Sequence, residues 1–516
     1  MTGNGLRGLG IIDLIDRSLA TGADVRISFD DREWTLAELD RWSRQLAIQL
    51  RQDIGTGERV GIMARNCPFQ LVLWWACARR GNVVVPWNIA NVGRFLAHQV
   101  EDSQPTLLFA QEEFREELTR AAESAGVPAP QAVPEEPAES PEPPGSMGAT
   151  GPMGVTGPDP AAPGHLVFTS GTTGVSKACV VSHRYLVNFA IDVAENLERM
   201  PEETVWTALP LFHLSALTQV AATVALGSRI SLASRFSVRD FWPAIERSGA
   251  RVAATMGAML ALVAQAPDSP AEQRCHGQLR AVSGSPVSRE LAQLWRDRFG
   301  VRRAGAGVFG MTEAALITMT PPGAYRAGTA GQAIGSFEVE LRDESDRPVP
   351  NGTVGEITCR PRRPGVMFDG YWNRPEQTEE AWRGGWFHTG DLGRFDDEGY
   401  LSFVDRVTDS LRRGGENISS YELETAIAAH PRIAEVAVHA VPSALGEDEV
   451  KVVVVPQPGT PLDPVALHDW ICGQVPRYAR PRYLELREQL PRNPVGRVLK
   501  HLLRAEGITP ATLDFG

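Results

Sequence analysis

"RVGIMARNCPFQLVLWWACARRGNVVVPW", Arg59 to Trp87, sets two short apolar runs on either side of a longer one. "RVGIMA" and "NVVVPW" have the length and branched side chains of strands, and "FQLVLWWACARR" between them has the length of a helix. Upstream, "TLAELDRWSRQLAIQLRQ" shows helical spacing after Thr35, which fits an N-cap. The same alternation runs over 26–110 and predicts an α/β architecture.

Residues 126–164 break the pattern, being dominated by Pro, Glu, Gly and Ala. Glycine recurs every third residue at 145, 148, 151, 154 and 157, but collagen needs far longer runs, so a flexible Pro/Gly-rich loop is expected. Alternation resumes at "HLVFTS" and continues to about residue 405. The tail reads as "YELETAIAAH" (helix), "IAEVAVHAVP" and "EVKVVVVPQ" (strands) and "PVALHDWICGQV" (helix), a small α+β unit. The boundary is expected in "DRVTDSLRRGGEN", dividing the chain into 1–405 and 406–516.

At 516 residues the chain exceeds one hydrophobic core, and two to four domains or subdomains are expected. With 63 acidic against 51 basic residues, the net charge of -12 gives no electrostatic reason to bind nucleic acid or an anionic membrane. Six dispersed cysteines without a CxxC pair predict reduced thiols, not a disulfide frame or zinc site. The N-terminus lacks a basic region followed by a long apolar run, and the clean apolar run Leu71–Ala78 stops at Arg79, far short of the ~20 residues of a membrane span. A soluble, cytoplasmic protein is expected.

Four stretches carry chemistry. "LVFTSGTTGVSK", Leu166 to Lys177, is a strand entering a glycine- and hydroxyl-rich loop that ends in lysine. Such a loop can converge backbone N–H groups and the Ser170, Thr172 and Thr173 hydroxyls on phosphate, although alone it also fits a solvated linker. "VFGMTEA" places Glu313 after a glycine bend, where it can hold Mg²⁺ against phosphates or cap a helix. "GGWFHTGDLGRF" and "LSFVDRV" place Asp391 and Arg406 at strand ends, fit for a ribose or for a plain turn.

In this order and spacing, the stretches resemble an acyl-CoA synthetase of the adenylate-forming superfamily, which also contains luciferases and peptide-synthetase adenylation domains. The likeness runs from about residue 25 to 505, and "RRGGENISSYELETAIAAHPRI" is most similar to crotonobetaine/carnitine-CoA ligases. It implies a large multi-subdomain N-terminal AMP-binding domain, a hinge, and a small C-terminal domain that rotates between two half-reactions. In the first, a carboxylate attacks the α-phosphate of Mg-ATP to give acyl-AMP and pyrophosphate; in the second, CoA takes the acyl group.

Residue by residue, the resemblance assigns Ser170, Gly171, Thr172, Thr173, Gly174 and Lys177 to the β- and γ-phosphates. Phe309 and Gly310 would sit beside the adenine, Phe309 replacing the usual tyrosine. Thr312 and Glu313 would meet the α-phosphate and Mg²⁺, and Asp391 and Arg406 the ribose. His213, in "LPLFHLSAL", would stand at the acyl-pocket entrance; as a lone histidine among apolar residues it also fits a structural role. Gly284, Ser285 and Pro286 would line the acyl and adenine pockets, and Gly257, where relatives carry proline, hints at a roomy acyl pocket. Gly414, Gly415 and Glu416, with Asn417, would line the pantetheine tunnel of the thioester-forming pose. Arg412 and Arg413 fit either an attraction for CoA phosphates or a solvated basic pair. The hinge falls on Thr408, where relatives have Asp or Lys.

One departure bears on activity. In "PRNPVGRVLK", Arg497 stands where the family carries a near-constant lysine that serves adenylation. Arginine keeps the charge but spreads it over a broader planar fork. Loss of a well-placed charge-stabilising donor costs about 10²–10³ in rate, so adenylation is expected to be impaired. Only Lys177, Lys451 and Lys500 are lysines, so compositional drift also fits, and Lys500, three residues on, is a second basic candidate. The expected function is thioester formation through acyl-AMP, the adenylate arriving from a separate adenylating enzyme. The alternatives are a full two-step ATP-dependent acid:CoA ligase, a non-catalytic nucleotide- or acyl-binding protein, and a carrier-protein acceptor in place of CoA.

Overall fold

A computed structural model of the chain describes residues 5–137, 158–169, 176–285, 287–321, 323–406, 410–443, 446–491 and 498–516. The Arg59–Trp87 stretch forms a strand (Arg59–Met63), a helix (Pro68–Arg80) and a second strand (Val83–Pro86) parallel to the first, with Val60 opposite Val84. Pro68 opens the helix, where its missing N–H costs nothing, and Gly81 closes it in the left-handed region. Every residue from Phe69 to Ala78 is buried, because sheet and helices cover this helix on all sides. Thr35 caps the helix Leu36–Asp53 through a reciprocal pair with Glu38.

This unit belongs to a six-stranded sheet ordered Gln131–Ala132, Leu107–Ala110, Arg59–Met63, Val83–Pro86, Pro163–Thr169, Lys177–Ser182. Only the last pair is antiparallel, and between its strands runs the 170–175 loop, which lies outside the described residues. A seven-stranded sheet, ordered Arg303–Ala304, Ala281–Ser283, Val252–Ala254, Thr204–Thr207, Arg229–Leu232, Arg26–Phe29, Arg32–Thr35, is parallel but for its final pair. Parallel neighbours demand crossover helices, and these fill the core between the sheets. An antiparallel four-stranded sheet, from Phe337–Arg342 to Leu401–Arg406, completes the large N-terminal domain.

The smaller C-terminal domain carries a hairpin, Ser410–Arg413 with Glu416–Ser419, and a four-stranded sheet with helices Ser420–Ala428, Pro464–Gln474 and Lys500–Glu506. It has its own core, around Leu423, Ile427, Val438 and Val452, into which Phe95 of the large domain also packs.

One expectation needs correction. The 126–164 segment is not all loop: Gln131–Ala132 extends the sheet beside Phe109, and Pro163 begins a strand. Residues 138–157, with all five regularly spaced glycines, lie outside the described residues. The last described helix starts at Lys500, and position 497, expected to share a helix face with it, lies outside the described residues. Among the described residues, no helix is long and apolar enough to cross a membrane.

Candidate active site

A cavity of about 850 Å³ opens where the six-stranded sheet, the Val308–Met319 hairpin, the Phe387–Phe395 strand and the C-terminal domain meet. Lys177, His213, Gly284, Ser285, Phe309, Gly310, Thr312, Glu313, Asp391, Gly415 and Glu416 all line it. Ser170, Gly171, Thr172, Thr173, Gly174, Pro286, Thr408 and Arg497 lie outside the described residues, as does the side chain of Arg406. Gly414 turns the hairpin at φ 60°.

Glu313 occupies the turn between strands Val308–Met311 and Ala315–Met319, so it caps no helix. Its carboxylate is 4% exposed and accepts from the Tyr371 hydroxyl at 3.0 Å and the Thr169 hydroxyl at 3.5 Å. Tyr185 fixes the turn from behind, donating to Thr312 O at 2.8 Å and accepting from Ala315 N at 2.6 Å. Gly310 is dictated by space: a Cβ there would lie 1.7 Å from the Ala315 carbonyl oxygen, where the hairpin register shifts.

Lys177 begins the strand paired with Pro163–Thr169, and its Nζ sits 4.1 Å from the centre of the Tyr371 ring. Tyr371 arrives because residues 369–372 run beside that strand, with Val180 N donating to Gly370 O at 2.9 Å. Burial, then the adjacent Glu313 carboxylate, push the Tyr371 phenol well above its ordinary range, so it remains a donor. Neither Tyr371 nor Thr169 was singled out from the sequence; an isolated tyrosine in a loop leaves no periodic or spacing signal.

Phe309 is nearly buried in the cavity wall. Asp391 is 5% exposed and lies mid-strand, opposite Arg406 in the antiparallel register, which corrects its expected place at a strand end. Arg406 does end its strand.

The C-terminal domain closes the mouth. Glu416 Oε1 accepts from His213 Nε2 at 2.9 Å and from Asn88 Nδ2 at 2.9 Å. Burial lowers the His213 pKa, but the Glu416 charge and hydrogen bond outweigh it, so the imidazole lies above its ordinary value. Gly415, at φ 80°, passes so close to Met256 that a Cβ would lie 1.6 Å from its Sδ. Glu422 reaches further in and accepts from Ser176 N at 2.6 Å, beside the 170–175 loop, and Tyr478 donates to Asn91 Oδ1 at 2.9 Å. Burial raises the Glu422 pKa. Glu422 is the third residue after the N-cap Ser419, a pattern visible in the sequence, whereas its second role across the domain gap is not.

The described flanks of Arg497 sit elsewhere. Val498 packs with Val453, Leu490 and Leu503 in the small domain, and Lys500 pairs with Glu424 at 2.7 Å and donates to Ser420 Oγ at 2.9 Å. In this pose Lys500 therefore points to its own domain. Lys451 is structural: it is buried, paired with Glu485 at 2.5 Å.

Family profiles agree with this geometry. One described as AMP-binding enzyme matches residues 16–372, and one described as AMP-binding enzyme C-terminal domain matches residues 422–497. The chain belongs to the AMP-binding enzyme family. It is 30% identical to a crotonobetaine/carnitine–CoA ligase from Salmonella paratyphi B over 464 residues, covering 87% of this chain and 89% of that one. Among solved structures, this AMP-binding enzyme is similar to the amide bond synthetase McbA from Marinactinospora thermotolerans, with TM-score 0.82, 25% identity, and 96% and 99% of the two chains covered. It also matches o-succinylbenzoate CoA synthetase from Bacillus subtilis in two complexes. With a product analogue, OSB-NCoA, bound to a double mutant of that enzyme, the TM-score is 0.79 at 25% identity, covering 95% and 98%. With the acyl-adenylate OSB-AMP it is 0.66 at 25% identity, covering 95% and 97%. The arrangement here is thus nearer the complex with the CoA product analogue.

The residues present fit Mg²⁺ with a nucleotide: Glu313 is one buried carboxylate lining the same cavity as Lys177, and Mg²⁺ takes one or two carboxylates plus phosphate oxygens.

Proposed function

We propose that this acid–thiol ligase family member makes acyl-CoA thioesters from acyl-AMP, and that Arg497 slows its own adenylation step enough for it to draw adenylate from a separate adenylating enzyme. The observation that supports the first part is Glu416, held between His213 and Asn88 at the cavity mouth. On this reading the Gly414–Glu416 turn guides the pantetheine thiol toward the acyl carbonyl, with His213 at the entrance. Asp391 and Arg406 hold the ribose, Phe309 and Gly310 face the adenine, and Gly284, Ser285 and Pro286 border the acyl group. Lys177, the 170–174 loop, Thr312 and Glu313 retain phosphate, with Glu313 holding Mg²⁺. Bound Mg²⁺ would neutralise phosphate oxygens and favour the charge that develops there. The working units are 1–405 and 406–516, pivoting at Thr408 in the cytoplasm.

The second part rests on chemistry at one position. Adenylation concentrates charge on the α-phosphate, and a guanidinium cannot mimic a point-like ammonium at a tight site. Thioester formation uses the pose seen here, in which the described residues flanking Arg497 pack on the small domain. A complete two-step ligase is the main competing reading, favoured by the ligase relative. An amine acceptor competes with CoA, because McbA superposes closely.

The test supplies purified protein with either a carboxylic acid, ATP and Mg²⁺, or preformed acyl-AMP, each with CoA. Thioester should form about 10²-fold or more faster from acyl-AMP, and Arg497→Lys should restore turnover from the acid. Equal rates from both sources would remove the proposal. Amide formed from an amine in preference to thioester would move the protein to the amide-forming reading.

A further inference from the structure

The inner end of the cavity carries two amides whose orientation is forced. Helix Leu214–Leu226 is buried along nearly its whole length, yet Ser215, Thr218 and Gln219 line the cavity from one face. The Thr218 hydroxyl donates to Ser215 O at 3.0 Å. Gln219 Oε1 accepts from Arg199 Nη1 at 3.3 Å, and the other end of that guanidinium donates to the Thr223 and Ser228 hydroxyls. A guanidinium has donors only, so it fixes the amide with oxygen toward the arginine and nitrogen away from it.

Asn196 repeats the device. It ends helix His183–Asn196, is 3% exposed and lines the same cavity. Its Oδ1 accepts from Arg303 Nη2 at 3.1 Å, and its Nδ2 is buried with no hydrogen-bond partner among the described residues. Gln219 Nε2 also has no hydrogen-bond partner among the described residues, all of its side-chain bonding running through Oε1, but unlike Asn196 Nδ2 it is not closed off from the cavity. A buried N–H left unpaired is costly unless something else accepts from it. Charge points the same way: the contacts of Arg199 are neutral, and the nearest carboxylate to Arg303 is Glu198 at 3.9 Å. The rest of this end is apolar, including Phe189, Val193 and Leu197.

We propose that this enzyme selects acyl groups bearing an acceptor oxygen, a carbonyl or a carboxylate, at their far end, received by the Gln219 amide nitrogen. The inference rests on reading this cavity as the acyl site. Six residues of helix separate His213 at the entrance from Gln219, or about 9 Å, which sets the reach of the acyl group.

Three adenylates test it with CoA: octanoyl-AMP, its counterpart with a ketone at the penultimate carbon, and the mono-adenylate of the matching straight-chain dicarboxylic acid. The oxygen-bearing pair should exceed octanoyl-AMP in kcat/KM by about tenfold or more, and whichever of the two is better identifies the acceptor. Gln219→Glu keeps an oxygen for Arg199, so folding should hold, while removing the donor. It should erase most of the ketone preference and turn the dicarboxylic arm below octanoyl-AMP, whereas Asn196→Asp, at a nitrogen closed off from the cavity, should leave the ketone preference in place. Equal rates for all three, or a preference that survives Gln219→Glu, would overturn the proposal. Calorimetric binding of the adenylates without CoA separates the two readings. A binding preference without turnover would sustain this inference against the thioester reading, and binding without preference would overturn it.

Discussion

Glu416 and His213 form a pair that exists only while the two domains are docked, so their protonation is tied to the pose. In the docked pose burial pulls the imidazole pKa down and Glu416 pushes it up further, leaving it above the ordinary ~6.5. A raised pKa means that the docked form binds the proton more tightly. Its contribution to docking is fully present below the undocked pKa and drains as pH climbs through the docked one. Removing the Glu416 charge leaves burial and the Arg412 charge, both of which lower the imidazole pKa. In Glu416→Gln the His213 pKa should therefore fall below the ordinary value, a change of sign that NMR titration of the imidazole reads directly. An unchanged titration would mean that the pair is not formed in solution.

At the scale of elements, the Val308–Met319 hairpin shows what holds Glu313 in place. The Cβ of Gly310→Ala would meet backbone, which cannot swing away as a side chain could, at the point where the ladder shifts register. Overpacking of this kind costs about 1–3 kcal/mol. Gly335→Ala, with nothing within 4 Å of its would-be Cβ, is the control. Thermal unfolding should separate the two, with the midpoint falling only for Gly310→Ala, together with nucleotide binding as Glu313 is displaced. The same hairpin marks how far sequence carries. The Arg59–Trp87 unit was legible because apolar runs of strand and helix length record burial directly. Gln131–Ala132 was not, since two residues beside one strand are too few to leave a periodicity. Glu313 and Lys177 could be found as charged residues after glycines. Tyr371, Gln219 and Asn196 could not, because each owes its role to a partner far away in the chain and sits in an unremarkable local pattern.

At the scale of the molecule, the small domain is held by Phe95 packing into its core and by a few polar contacts around a tight turn, one of which reaches Ser176, the residue after the 170–175 segment. The carbonyl oxygen of Ser176 meets His98 Nε2 at 3.0 Å from the large domain, and the Ser176 N–H donates to Glu422 of the small one. Docking buries the Glu422 carboxyl and raises its pKa, so the docked pose again prefers the proton. The sign matches that of His213: the penalty for Glu422 grows as pH rises from the undocked carboxylate value, about 4.3, to the docked one, and stays constant above. Both groups therefore make docking more favourable in acid. Distances between fluorophores on the two domains should shorten on acidification in the wild type. Glu422→Gln keeps an acceptor for Ser176 N without the charge, so it should dock at least as well near neutrality and lose the more acidic part of the response. Glu422→Ala leaves the Ser176 N–H unpaired, at about 1–3 kcal/mol, and should shift the population toward undocked by about tenfold. Thioester formation from acyl-AMP should slow in proportion, while nucleotide binding to the large domain is spared. If Glu422→Ala and the wild type gave the same interdomain distances across the pH range, the contact would carry no weight in setting the pose.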